Sequence, residues 1–157
     1  LIALNSAVGE ERGDAPNQKG VAMLSHPQFL KLCEDLGRLC PSDELEAGMK
    51  VARGFADLGY EEFLLLPGDR LLALYSGQIT PLPPEHRGFF FAVPSPDELV
   101  ERIVKGNFDI ASLVYEEQRS WRLTLAEATT GITRETQGDS LEECLANGMI
   151  SILSLGG

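Results

Sequence analysis

Four consecutive residues, Gly138-Asp139-Ser140-Leu141, place a serine after a tight turn and before an apolar run. A serine so placed could attack an acyl carbon. It can do so only if a base, usually histidine, takes its proton. No histidine follows Ser140, and both histidines of the chain, His26 and His86, lie well upstream. The same residue types have a second use. With Glu143 three positions on, Ser140 reads as the N-cap of a helix in a capping box, its oxygen serving a free backbone N–H. Ser95 and Glu98 repeat the arrangement, with Pro96 at the first helical position.

Esterases that carry their serine in this word place it after the first strand and their histidine far downstream in an Asp-x-x-His. The likeness therefore stops at four letters, and no catalytic residue is assigned. Cys33, Cys40 and Cys144 form no Cys-x-x-Cys pair and are odd in number, a poor disulfide framework. The histidines stand apart from them, so no zinc site is expected. Cys33 and Cys40 fall on one apolar helical face and read as buried thiols in a reducing compartment. Adjacent carboxylates such as Glu61-Glu62 and Glu142-Glu143 point to opposite faces of a strand or serve a helix dipole. Asp97, Glu101 and Asp109 would be the material for a Mg²⁺ site, but nothing in their spacing specifies one. No metal and no cofactor is expected. The 16 glycines sit singly, without a phosphate-binding loop.

Two features point to a surface. Gly148 lies inside a helical run, where glycine costs about 1 kcal/mol relative to Ala. It marks either the close approach of another element or a partner surface. Arg119, Arg122 and Arg134 are expected on one polar sheet face beside Glu116 and Glu135, as a screened salt-bridge ladder or as a partner site. Arg119, Arg122, Arg134 and Gly148 are thus the candidate partner surface. Tyr75, His86, Tyr115 and Trp121 are the residues that would line a pocket, if there is one between the helices and the sheet.

The elements that must hold these residues follow from periodicity. Ser25 and Pro27 open a helix with Phe29, Leu32, Cys33, Leu36 and Cys40 at helical spacing, stopped by Pro41. Ser42, followed by Asp43 and Glu44, opens a second helix with Leu45, Met49, Ala52 and Phe55 or Ala56 on one face, ended by Gly59. Two apolar runs around Pro67-Gly68-Asp69 form a hairpin. Residues 78–88 are a proline-rich loop or irregular edge, and 89–93 a short buried strand. A helix capped by Ser95 ends at Gly106. Residues 108–117 and 120–128 form a second hairpin, in which Trp121, Leu123 and Leu125 alternate with polar neighbours. Residues 132–137 are a polar edge strand, and Ser140 opens the last helix. The two capping serines and the strands starting near Phe63 and Phe108 share a common offset, which predicts two tandem units. The expectation is one α+β domain, 1–157. It has an irregular segment at 1–24, a helical pair at 25–59, and β-β-β-α units at 61–106 and 108–153. Together the units form a mainly antiparallel sheet with helices on one face.

Totals set the class. The chain of 157 residues is 43% apolar, as expected of a globular domain. Its 13 basic and 24 acidic residues give a formal net charge of −11. Such a charge repels phosphate backbones and anionic membranes. The expected partner is a protein, and a basic one, or a second copy of the chain, rather than nucleic acid or membrane. No run approaches the ~20 apolar residues of a membrane span. The opening residues are too short an apolar run for a signal peptide and lack its basic flank. A cytoplasmic location is expected. The chain opens on Leu1 rather than methionine, so residues 1–20 carry little weight. Arg12-Gly13-Asp14 is taken as a coincidental triplet.

Residues 108–153 resemble the HicB-like antitoxin domain. The resemblance lies in a β-hairpin, a third strand, and a helix opened by Gly138-Asp139-Ser140-Leu141-Glu142-Glu143, with Cys144 where that family has alanine. The family's Pro-Asp-Leu-Pro-Gly stretch before the third strand is replaced here by residues 127–133. The resemblance implies a non-catalytic, acidic partner of a basic toxin RNase, and no site residues carry over. The expected function is protein–protein interaction of an antitoxin or immunity kind. The alternatives are a small enzyme or ligand-binding domain, and a structural or assembly subunit.

Overall fold

The computed structural model describes residues 25–40 and 44–156. Helix α1 spans Pro27–Leu39, with His26 as its N-cap: the imidazole Nδ1 accepts from the Gln28 N–H at 3.4 Å. Ser25 precedes the cap. Strands β1 (Lys50–Phe55), β2 (Gly59–Leu66), β3 (Arg70–Ala73), β4 (Ile79–Pro81) and β5 (Phe90–Ala92) form one antiparallel sheet, with a 3-10 helix at Pro84–Phe89. The order across it is β4-β3-β2-β1-β5. Helix α2 is Pro96–Lys105. Strands β6 (Phe108–Tyr115), β7 (Trp121–Glu127) and β8 (Thr133–Gly138) make a second antiparallel sheet in simple meander order, and helix α3 is Leu141–Gly156.

The second helix expected in residues 42–59 is not found. Residues 50–55 are strand β1, paired to β2 on one side and β5 on the other. Leu45, Met49 and Ala52 fit a helical stripe, but Gly48 at φ +95° breaks the chain there. Val51 and Phe55 favour the extended state. Pro41, Ser42, Asp43 and the segment 1–24, including Arg12 to Asp14, lie outside the described residues. Among the described residues there are two sheets rather than one. The units before α2 and α3 also pair differently: β5 joins β1, five elements back, whereas β8 joins its immediate predecessor.

The main core is built from α1, α2 and α3 with one face of each sheet. Phe29, Cys33 and Leu36 of α1, Ala52 of β1, Phe91 of β5, Leu99 and Ile103 of α2, Leu123 and Leu125 of β7, and Leu145 of α3 all lie in it. Fully burying a side chain of this size is worth about 1.5–3 kcal/mol. α3 packs against α1, α2, β7 and β8. Glu143 through Ala146 are buried in succession, which explains why α3 shows little polar face. The other face of the five-stranded sheet carries a second core of Val51, Phe63, Leu65, Leu71, Ala73 and Leu82. Among the described residues no helix is long and apolar enough to cross a membrane.

Candidate partner-binding surface

Ser140 sits where α3 begins. Its Oγ accepts from the Glu143 N–H at 3.1 Å and lies 3.4 Å from the Glu143 carboxylate, to which it can donate. At Ser95 both halves of the capping box are present: Glu98 N–H to Ser95 Oγ at 3.2 Å, and Ser95 N–H to the Glu98 carboxylate at 2.8 Å. The glycine of the four-residue word has a separate cause. A Cβ on Gly138 would fall 2.4 Å from the Cys144 backbone nitrogen, so β8 can enter α3 this closely only with glycine.

Gly148 is explained from inside the molecule. A Cβ there would meet Leu123 Cδ2 at 2.6 Å, and Leu123 is fully buried. The residue marks the approach of α3 to β7, not a partner surface. The three arginines do not share a face. Arg122 pairs in register with Gln137 and Arg134 with Leu125. Alternation then puts Arg134 on the Leu125 side of the sheet and Arg122 on the opposite side. Arg122 pairs with Glu116 and leaves its buried Nε without a partner. Arg119 lies in the β6–β7 turn at φ +63°.

The surface that sequence reasoning missed is β6 itself. It pairs with β7 along one side, and no described strand pairs with the other. Phe108 is buried, but Ala111, Ser112, Val114 and Tyr115 are exposed, with Val114 at 48% and Tyr115 at 55%. The register slips between Ile110 and Ser112, a bulge that leaves Ser112–Tyr115 as the regular outer stretch. The Glu116 N–H donates to the Ser120 carbonyl at 2.8 Å. By alternation, the main-chain groups of Ser112 and Val114 face β7, and those of Leu113 and Tyr115 face away from the sheet. The stretch has no lysine and no proline, the usual guards of a free edge. Tyr115 and Trp121 stack at its end, 5.2 Å between ring centroids.

Two grooves flank the helices. One, of about 500 Å³, runs between the start of α1, β1 and the β5–α2 junction, past Phe29, Lys50, Val93, Ser95 and Arg102. The other, of about 510 Å³, follows the end of α1 and β5, past Leu36, Arg38, Arg87 and Phe91. Tyr75, His86, Tyr115 and Trp121 line neither groove. Beside the first groove, Glu62 is 3% exposed. Its carboxylate accepts from the Ser25 N–H at 2.5 Å and Oγ at 3.0 Å, and pairs with Lys50 at 2.7 Å. Burial, and then the Glu62 charge, push the Cys33 thiol up to about 12. Burial also raises the Cys144 thiol. The Cys33 and Cys144 side chains are buried, and Cys40 is partly exposed. Among the described residues no three His, Cys, Asp or Glu side chains gather where they could hold a metal ion, and Asp97, Glu101 and Asp109 are no exception.

Compared with family models, with curated proteins and with solved structures, the chain finds no match.

Proposed function

We propose that this is an acidic binding protein that works through protein–protein interaction, engaging its partner along the outer edge of β6. The carrying observation is the regular stretch Ser112–Tyr115, which offers outward main-chain groups, two half-exposed apolar side chains and no guarding charge. The net charge of −11 favours a basic partner and a fast, salt-sensitive encounter. An antitoxin- or immunity-like role is the form of this reading that the Gly138 to Glu143 phrase and the strand-strand-strand-helix order of residues 108–153 support. Binding, rather than turnover, is the activity.

The test is retention of partner from native extract by the wild type and by Val114→Lys, with both proteins shown to melt alike. The same protein should be held by the wild type, released by Val114→Lys, and weakened by added salt. Equal retention by the variant would count against the edge.

The exposed edge equally favours a second reading, a subunit that pairs with its own copy. Light scattering across a dilution series separates the two. A mass that falls to that of one chain on dilution, and stays there in Val114→Lys, marks self-association.

A further inference from the structure

The five-stranded sheet carries an arginine set among phenylalanines. Arg53 lies in the middle of β1, opposite Phe90 of β5 and Glu61 of β2. Its guanidinium carbon is 4.9 Å from the ring centroid of Phe55, 4.8 Å from that of Phe89 and 5.9 Å from that of Phe90, all within cation–π range. Phe90 is anchored below by an edge-to-face contact with Phe63, 5.5 Å between centroids, which ties the cluster to the second core. Phe89 is 54% exposed. Among the described residues Arg53 forms no ion pair, although Glu61 is its cross-strand neighbour. The rings hold the cation, and no carboxylate of the described residues pairs with its N–H groups.

The geometry points to a peptide-recognition site at Arg53, Phe55, Phe89 and Phe90 that takes a carboxylate side chain flanked by apolar residues on a partner protein. A guanidinium presents parallel N–H donors matched to a carboxylate. Arginine and aromatic residues together are the composition of binding hot spots. The exposed Phe89 ring would cover the apolar neighbour while the guanidinium takes the acid. The site lies on the five-stranded sheet, apart from the β6 edge, and stands or falls independently of it. Its preference also runs against the overall charge: a molecule of net −11 attracts basic peptides nonspecifically, so acid selection here must be local.

The test is selection from a displayed random heptapeptide library on the full chain, followed by binding of the best synthetic peptide. The expected result is enrichment of one Asp or Glu between apolar residues. The chosen peptide should bind about tenfold more weakly to Arg53→Gln and to Phe89→Ala, as expected for loss of a hot-spot contact. Replacing the peptide's acid with its amide should cost the same factor on the unaltered protein, which needs no folded variant. Enrichment of basic peptides only, no enrichment at all, or equal binding by the amide peptide overturns the proposal.

Discussion

At residue scale, the four-residue word at 138–141 is architecture. Gly138 is needed because α3's first turn comes within 2.4 Å of where its Cβ would stand, and the atom it would strike is backbone. Ser140→Ala removes a cap and should cost about 1 kcal/mol in urea unfolding. Gly138→Ala should cost more, about 2–3 kcal/mol, because a backbone clash cannot be relieved by turning a side chain. The caps were legible from sequence since every atom involved lies within one turn. Gly148 was legible as a packing residue, but not its neighbour Leu123. The Cys33 thiol gives a pH prediction. Its pKa rises from 9.0 to about 12 on folding, so the folded state holds a proton that the unfolded state releases. Stability from this source is whole below pH 9 and is lost as pH climbs from about 9 toward 12. Unfolding at stepped pH should show that fall, and Cys33→Ala should lessen it, the remainder coming from Cys144 and Tyr60, whose groups burial also raises. Ellman's reagent should reach the partly exposed Cys40 first in the native protein.

At element scale, the tie between β1, β2 and the chain before α1 depends on Glu62. Among the described residues Lys50 is the cation that pairs with it, and it keeps 32% of its side chain in water. Lys50→Ala should therefore destabilise by about 2 kcal/mol, less than the loss expected for a fully buried pair. Glu62→Gln together with Lys50→Ala should restore part of it. Most helices and strands were legible because their periodicities are local: α2 and α3 by their caps, β7 by Trp121, Leu123 and Leu125. β1 was not, because Leu45, Met49 and Ala52 satisfy the helical spacing equally well. Its strand state depends on pairing with β2 on one side and with β5, distant in sequence, on the other. The placing of Arg122 and Arg134 on opposite faces depends on register across the β7–β8 turn, which composition does not show.

At the scale of the whole molecule, α1 and α3 lie between two sheets, and each sheet leaves something uncovered: the outer edge of β6 on one, the Arg53 cluster on the other. Neither was legible in the sequence. Residues 108–117 read as one strand of a hairpin, and only the strand order shows that no described strand flanks its outer side. The net charge was legible, and it predicts that affinity for a basic partner falls steeply with salt. The most direct measurement places a photo-crosslinking amino acid at position 114 and, as a control, at 132, where Ile132 is more exposed at 60% but lies in the β7–β8 connection. After irradiation in native extract, position 114 should give a discrete covalent adduct and position 132 none. No adduct at 114, or the same adducts at both positions, would contradict a binding function centred on β6.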